Sequence, residues 1–247
     1  MTTLGSDPYA KNSSFWIRII RDKLDRYRTE LTDTAVLSTI GPVKARTVLD
    51  GGCGEGYMSR ELANRGAIVT GLDTSSSLIA AAREERDRLG LRINHYVASL
   101  DSIPEDDETF DTVVCNHVIN DTENPSAALK EISRVTKPGG RLILLMLHPC
   151  FYTAQAERSA AGNISVAAYF GTRKIAEQLN VAGLPSLDKF HMTFHPLEWY
   201  ISATIENGYV ITKISEPHPS PTQMEDEWWQ QNFVKPLFML IVAERVR

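Results

Sequence analysis

The sequence lacks long apolar runs and is poor in cysteine. No stretch of the 247 residues is apolar for long enough to span a bilayer, so we expect no membrane segment. The N-terminus is polar and has none of the apolar character of a secretory signal. Three widely spaced cysteines, Cys53, Cys115 and Cys150, predict no disulfide framework and favour a reducing, cytoplasmic location.

Basic residues are also too few for a protein whose main task is to grip phosphate backbones. The chain has 26 Lys and Arg against 31 Asp and Glu, a net charge of -5, and no dense basic block. This balance argues against nucleic acid as a partner. The sequence has neither an internal repeat nor a low-complexity linker, and its length suits one α/β domain. We therefore predict a single domain over residues 1–247.

Short apolar runs alternate with helical segments between residues 41 and 147. The runs RTVLDG, AIVTGLD, LRINHYV, FDTVVCN and RLILLML predict five strands, and residues 57–64, 75–89 and 125–136 predict helices between them. Strands that alternate with helices form a parallel sheet with right-handed crossovers. Two later strands, YVITKIS and LFMLIVAE, have no evident crossover helix between them, which predicts an antiparallel pair.

Three further segments flank this core. Residues 1–40 carry Trp16, Ile19 and Leu24 at helical spacing and end before Gly41-Pro42, which predicts an N-terminal helical element. Residues 148–194 are irregular and contain scattered aromatic side chains, so we interpret them as an insertion that covers a site. Residues 195–247 supply one more helix and complete the sheet.

A glycine-rich loop follows the first predicted strand, where open α/β sheets bind their ligands. Tyr57 stands where the dinucleotide pattern G-x-G-x-x-G needs its third glycine, and the Gly-Lys-Ser/Thr of a P-loop is missing. The pattern that fits is D-x-G-x-G-x-G, which begins at Asp50. Asp73 then falls at the end of the second strand, where its carboxylate could accept hydrogen bonds from both hydroxyls of a ribose.

These motifs, with FDTVVCNHVIND, LKEISRVTKPGGRLIL and the HPCF that follows, resemble class I S-adenosylmethionine-dependent methyltransferases of the bacterial small-molecule type. The resemblance covers roughly residues 27–151 and extends loosely beyond them. It implies a Rossmann-like, seven-stranded, mostly parallel sheet with an antiparallel final strand and helices on both faces. It also implies an N-terminal helical lid, an insertion after strand five, S-adenosylmethionine as cofactor and S-adenosylhomocysteine as product.

The resemblance also assigns the cofactor-binding residues. It places Asp50, Gly51, Gly52 and Gly54 near the methionine half of the cofactor and Asp73 and Thr74 near the ribose. It places Ser99 and Leu100 beside the adenine and Asn116 near the sulfonium. Tyr27 and Arg28 are expected to fold over the cofactor. The family often has an acid where this chain has Ser99. Asp101, two residues later, could make the adenine contact instead.

Two histidines are candidates for acceptor activation. His148 follows strand five directly, at the edge where the acceptor must lie, and the pKa of histidine suits a general base. The alternative is a residue that orients its loop or packs against Pro149. His117, at the end of strand four, is the second candidate.

No metal is expected. His148, Cys150, His191 and His195 do not have the spacing of a known zinc site. The sequence Cys115-Asn116-His117 lacks the acid that a magnesium-dependent catechol methyltransferase places at this strand end.

The sequence therefore predicts a cytoplasmic enzyme that methylates an O, N or C atom of a small molecule, with neither nucleic acid nor membrane as partner. Bacterial relatives of this layout often act in specialised metabolism. Two alternatives stay open at this point: a related protein that catalyses a reaction such as cyclisation with the cofactor bound, and a module that only binds S-adenosyl compounds. The oligomeric state is open as well.

Overall fold

A computed structural model describes residues 9–152 and 169–246. Its strands are β1 (Thr47–Gly51), β2 (Ile68–Asp73), β3 (Ile93–Val97), β4 (Phe110–Asn116), β5 (Thr136–Leu147), β6 (Arg173–Glu177), β7 (Asn180–Val181), β8 (Leu184–Pro185), β9 (Phe190–Phe194), β10 (Tyr209–Ser215) and β11 (Phe238–Arg245). Seven of them form one sheet in the order β10-β11-β5-β4-β1-β2-β3. Part of the predicted N-terminal element (1–8) and part of the predicted insertion (153–168) lie outside the described residues.

The α-helices of the described chain are α1 (Ser13–Arg21), α2 (Asp33–Ile40), α3 (Tyr57–Asn64), α4 (Ser76–Arg88), α5 (Pro125–Val135), α6 (Leu197–Glu206) and α7 (Glu227–Asn232). A π-helical turn, Arg28–Thr32, precedes α2, and short 3-10 turns lie at Ile119–Asp121 and Gln223–Glu225. The core helices α3, α4 and α5 agree with the predicted segments within one residue at each end. None of the described helices is long and apolar enough to cross a membrane.

The sheet confirms the predicted topology. Strand pairs β1–β2, β1–β4, β2–β3 and β4–β5 are parallel, whereas β11 is antiparallel to both β10 and β5. Neighbouring residues of β1 point to opposite faces. Leu49 packs with residues of α5 and α6, and Val48 packs with residues of α2 and α3. Helices therefore cover both faces, which is why the central strands are apolar throughout.

The segment after β5 differs from the prediction of an irregular insertion. In its described part, β6 pairs antiparallel with β9, and β7 pairs with β8. In β9, Phe190, Met192 and Phe194 are buried and the residues between them are more exposed. This period of two is the signature of a strand with one buried face, so the hairpin packs on the domain rather than crossing it as a loose loop.

The N-terminal element is helical, as predicted. Its α1 is anchored to the core by Arg21, whose Nε donates to Glu55 Oε2 at 3.1 Å and whose Nη2 donates to Ala81 O at 3.2 Å. Glu55 belongs to the glycine loop after β1, so this ion pair places the N-terminal helices beside that loop.

Candidate active site

The parallel strands bring the predicted site residues to one edge of the sheet. Because β1, β2, β4 and β5 run in the same direction, the glycine loop, Asp73, Asn116 and His148 all lie at their carboxyl ends. This is the edge at which open α/β sheets bind ligands.

The glycine loop has a backbone that other residues adopt only with strain. Gly52, Gly54 and Gly56 have φ values of 73°, 55° and 82°, in the left-handed region. The amides of Gly52 and Cys53 both donate to Leu72 O, at 2.8 and 2.9 Å, so the loop is tied to the end of β2. A Cβ on Gly54 would have no atom within 4 Å. The surface above Gly54 is therefore open for a ligand to approach the backbone.

Two alanine substitutions in this loop should distinguish the glycine that is needed for packing from the glycine that is needed for cofactor binding. A Cβ on Gly52 would lie 2.3 Å from Val118 Cγ2, so Gly52→Ala should destabilise the fold by about 3 kcal/mol. Gly54→Ala should cost only about 1–2 kcal/mol of backbone strain but should weaken binding of S-adenosylhomocysteine. Urea unfolding and titration calorimetry of both variants measure this. Full affinity in Gly54→Ala would show that the cofactor does not contact this surface.

Asp73 joins the loop to the helix after β2. Gly54 N donates to its Oδ2 and Ser75 N donates to its Oδ1, each at 2.9 Å. Ser75 in turn caps α4, because its side chain accepts from Leu78 N. The carboxylate is thus fixed in orientation at the end of β2, beside the glycine loop.

Asp50 lies beneath the loop and is 1% exposed. Ser59 Oγ donates to its Oδ2 at 2.5 Å. Burial raises the pKa of Asp50 to about 6, against the lowering effect of the Ser59 hydrogen bond. Asp50 thus remains mainly ionised at neutral pH and can attract a cationic group of a ligand.

Unsatisfied polar atoms mark the space between the loop and the N-terminal helices. Within the described chain, Arg28 Nε, Asp33 Oδ1 and Asn116 Oδ1 are buried without a hydrogen-bond partner. Arg28 Nη2 lies 3.8 Å from Asp33 Oδ1, and its guanidinium lies 5.6 Å from the centre of the Tyr57 ring. Burial raises the pKa of Asp33, and the Arg28 guanidinium opposes that rise.

One free donor and two free acceptors fit a zwitterionic amino-acid group. The carboxylate of S-adenosylmethionine could accept from Arg28, and its ammonium could donate to the carboxyl and amide oxygens. A cavity of about 90 Å³ lies here, lined by Ile19, Ile20, Lys23, Asp25, Arg28, Thr29, Asp33 and Tyr57. The residues present therefore fit the cofactor. Asp33 was missed by sequence reasoning, because it lies inside the helical element and its burial depends on contacts distant in sequence.

The other predicted cofactor residues lie around the ends of β1, β2 and β3. Leu100 is buried, and its Cδ2 would be 2.8 Å from a Cβ on Gly51. Ser99 is half-buried and Thr74 is exposed. Their contacts with the cofactor stay predictions.

Tyr27 lies in an aromatic cluster. Its ring centre is 5.0 Å from that of Trp228 and 5.8 Å from that of Trp229, and its hydroxyl donates to Asn232 O at 2.9 Å. Trp229 is fully buried and donates to Glu30 Oε2. These contacts give Tyr27 a packing role. Its contact with the cofactor stays a prediction.

His117 is held in a strained and desolvated position. Its φ is 60°, its Nε2 lies 3.2 Å from Thr32 Oγ1, and its ring meets the Phe238 ring edge-on at 5.3 Å. Burial lowers the pKa of His117 to about 3. The imidazole is therefore neutral and a weak base, which makes it poorly matched to proton abstraction.

His148 has a partner on each ring nitrogen. Nε2 lies 2.9 Å from Glu216 Oε1, and Nδ1 accepts from Cys150 N at 3.1 Å. The side chain is buried and its ring lies 4.8 Å from that of Phe151. Burial lowers the pKa of His148, and Glu216 opposes this. Through these contacts His148 holds the turn after β5. Catalysis by His148 stays a prediction.

The variant His148→Gln should lower the melting temperature, because the backbone N–H of Cys150 and the carboxylate of Glu216 lose their partner. A drop of a few degrees by calorimetry corresponds to about 1–2 kcal/mol. The catalytic role additionally requires kcat of the folded variant to fall by about 10²-fold or more. A normal kcat in a folded variant would remove His148 from the chemistry.

Asp121 is a carboxyl between β4 and α5 that does not cap this helix. The cap of α5 is Asn124, whose side chain accepts from Ala127 N at 3.1 Å. Asp121 ends the 3-10 turn after β4, and the hydroxyl of Tyr9 donates to its Oδ2. Burial, with a smaller effect of Asp73, raises the pKa of Asp121 to about 7. A half-buried carboxyl that titrates near neutrality is a candidate general base.

Aromatic side chains lie near Asp121. The ring of Tyr9, whose hydroxyl donates to Asp121, lies 5.3 Å from that of Phe190 in β9. Farther along β9, Phe194 stacks on Tyr152 at 5.9 Å; burial raises the pKa of the Tyr152 hydroxyl, and the charge of Asp121 adds to this rise. Such walls suit a planar, partly apolar molecule. The described residues contain no group of three or more His, Cys, Asp or Glu side chains arranged to hold a metal ion.

Known methyltransferases are similar to this chain in sequence and in fold. Residues 49–144 match the family described as methyltransferase domain. A ubiquinone biosynthesis O-methyltransferase of Coxiella burnetii is 29% identical over 179 residues, which are 68% of this chain and 76% of that protein. One of the same name from Pseudomonas fluorescens is 26% identical over 183 residues, 69% of this chain and 79% of that one.

A solved structure shares the fold. The S-adenosylmethionine-dependent methyltransferase from Mesorhizobium loti superposes with a TM-score of 0.72 at 21% identity, over 86% of this chain and 96% of that one. The family match, the relatives and the glycine loop all indicate methyl transfer. The protein is similar to S-adenosylmethionine-dependent methyltransferases, and these comparisons support S-adenosylmethionine as its methyl donor.

Proposed function

We propose that this enzyme methylates a hydroxyl group of a small aromatic acceptor, with Asp121 as the general base. The observation that carries the proposal is the Asp121 carboxyl, held by the Tyr9 hydroxyl among aromatic rings five residues after Asn116. The relatives that are named O-methyltransferases support oxygen as the acceptor atom. The chain's net charge of -5 favours a small molecule over nucleic acid.

The protein has a limited chemical task in this reaction. The sulfonium of S-adenosylmethionine supplies a methyl group that is already activated. Asp121 accepts the proton of the hydroxyl as the oxygen–carbon bond forms, and Tyr9 fixes the orientation of the carboxyl. Arg28, Asp33 and Asn116 hold the amino-acid end of the cofactor. The aromatic walls hold the acceptor and exclude water.

The N-terminal helices serve as the lid in this proposal, with residues 41–147 as the cofactor core. The Arg21–Glu55 ion pair, 3.1 Å long, gives the lid a direct connection to the glycine loop. In the same proposal, the segment after β5 lines the pocket that binds the acceptor. A place in bacterial specialised metabolism stays a prediction.

A screen for methyl transfer tests the proposal. The enzyme is incubated with S-adenosylmethionine and a set of phenols, catechols, aromatic amines and aliphatic alcohols, and release of S-adenosylhomocysteine is measured together with the mass of the product. We expect turnover with aromatic hydroxyl compounds and a product heavier by one methylene. Turnover restricted to the amines, or a product of unchanged mass, would overturn it.

A further inference from the structure

The guanidinium of Arg173, at the start of β6, is left incompletely satisfied by the protein. Its Nε and Nη1 are buried and have no hydrogen-bond partner among residues 9–152 and 169–246. Nη2 donates to Pro149 O at 2.8 Å, and the guanidinium lies 6.0 Å from the centre of the Tyr169 ring. Both of these partners are neutral. Because a buried charge without a counter-charge is costly, this position suits an anionic group from outside the chain.

The β6–β9 hairpin directs this guanidinium toward the aromatic wall of the site. Arg173 pairs directly with Phe194, and directly opposite residues of an antiparallel pair present their side chains on the same face. Phe194 is fully buried and stacks on Tyr152. Arg173 thus shares the buried face of the hairpin with Phe194 and does not lie on the solvent face.

Tyr200 offers a second donor in the same region. Its hydroxyl accepts from Asn120 Nδ2 at 3.2 Å and from His195 N at 3.4 Å. The Asn120 amide has a defined orientation, because its Oδ1 accepts from Leu147 N at 3.0 Å. The Tyr200 hydroxyl is the acceptor in both bonds, so its own proton remains to be donated. His195, whose N–H donates to this hydroxyl, directly follows Phe194, the residue that pairs with Arg173, so the two donors lie in one region.

This donor pair is separate from the amino-acid end of the cofactor site. Pro149, the partner of Arg173, follows β5, and β4 lies between β5 and the β1 strand that carries the glycine loop. Arg28 lies on the glycine-loop side, against Tyr57. Asn120, by contrast, directly precedes Asp121 in the same 3-10 turn. The donor pair therefore belongs to the acceptor end of the site.

We propose that Arg173 and Tyr200 bind a carboxylate of the methyl acceptor, which is therefore an aromatic hydroxy acid. The planar fork of arginine matches the two oxygens of a carboxylate. The aromatic ring of the acceptor lies against the Tyr152 and Phe194 wall, and its hydroxyl faces Asp121. The assignment of the substrate class rests on the proposed function. Binding of a carboxylate at this site can be measured without methyl transfer.

Calorimetry with benzoate and benzamide tests the carboxylate site. These probes have the same shape and differ in charge, and both are titrated into enzyme saturated with S-adenosylhomocysteine, so that the carboxylate of the product occupies its own site. The wild-type enzyme should bind benzoate about 10- to 100-fold more tightly than benzamide. Arg173→Met should abolish the preference, Arg173→Lys should retain part of it, and Tyr200→Phe should reduce it several-fold. Equal affinity for the two probes, or an undiminished preference in Arg173→Met, overturns the proposal.

Thermal unfolding without ligand distinguishes binding from a structural role. Arg173→Met removes a buried charge that lacks an anionic partner, so its melting temperature should equal or exceed that of the wild type. A clear drop in both Arg173→Met and Arg173→Lys would mean that the protein itself satisfies the guanidinium, and the proposal would fail. Benzoate binding by the wild-type enzyme, together with an absence of methyl transfer to aromatic hydroxyl compounds by that same enzyme, would refute the proposed function but not this site.

Discussion

Replacing Asp121 by Asn is expected to lower kcat for methyl transfer to a hydroxyl acceptor by about 10²–10⁴-fold. Asparagine keeps the shape of the side chain and can still accept a hydrogen bond from Tyr9, but it cannot take up the proton of the hydroxyl. Affinity for S-adenosylhomocysteine should stay within a few-fold of the wild type. Steady-state kinetics and calorimetry measure the two quantities. A kcat close to that of the wild type would mean that another group accepts the proton.

The pH dependence gives an independent readout for the same residue. The pKa of Asp121 is raised to about 7, chiefly by burial, and a base acts only when it is ionised. In the wild type kcat should therefore rise between about pH 6 and pH 8, and in Asp121→Asn this rise should disappear. The hydrogen bond from Tyr9 lowers the pKa of Asp121. Tyr9→Phe should therefore move the rise to higher pH while leaving the plateau rate largely intact.

The stability of the wild-type protein should fall with rising pH, whereas its kcat should rise. The folded-state pKa of Asp121 is raised above its ordinary value of 3.8. Between these values the folded protein binds a proton that the unfolded chain releases, so this contribution to stability is lost as the pH rises through about 7. An asparagine side chain at this position has no charge to desolvate. Asp121→Asn should therefore unfold a few degrees above the wild type at pH 8 and differ less at pH 5.

The fold was largely predictable because its signals are local. The five apolar runs of the core, the helices between them and the glycine loop each lie within short segments, and periodicity alone predicts them. Asp73 could be placed beside the glycine loop because a strand end fixes its position. The β6–β9 hairpin was not predicted, because β6 has no clear alternation of buried and exposed residues and its pairing with β9 spans the short β7–β8 pair.

The acceptor end of the site depends on contacts that are distant in sequence. Asp121 becomes a candidate base only because Tyr9, 112 residues earlier, approaches it. The sequence makes His148 a candidate base, but Glu216, 68 residues later, occupies one of its ring nitrogens. No pattern around Arg173 indicates burial of its guanidinium. Sequence order can thus locate residues at the edge of a sheet, whereas which of them faces the ligand is decided by tertiary packing.

Substituting Asp73 by Asn should weaken binding of S-adenosylhomocysteine by about 3 kcal/mol, or roughly 10²-fold in Kd. Asp73 holds the end of β2 beside the glycine loop, and its carboxylate can accept from both ribose hydroxyls as charge-assisted hydrogen bonds. Asparagine retains one acceptor and loses the charge. The loss should come with little unfolding, since the amide oxygen can still accept from Gly54 N or Ser75 N.

Calorimetry measures the loss, and Asp106→Asn is the matched control. Asp106 is an exposed acid in the loop that enters β4 at its amino end, whereas the glycine loop lies at the carboxyl ends of the strands. The same change of charge at Asp106 should therefore leave the Kd for S-adenosylhomocysteine unchanged. A 2′-deoxy analogue of S-adenosylhomocysteine sharpens the test. Wild-type enzyme should bind the analogue less tightly than the parent compound, whereas Asp73→Asn should distinguish the two much less. If the variant discriminates between them as strongly as the wild type does, the ribose is held by a residue other than Asp73.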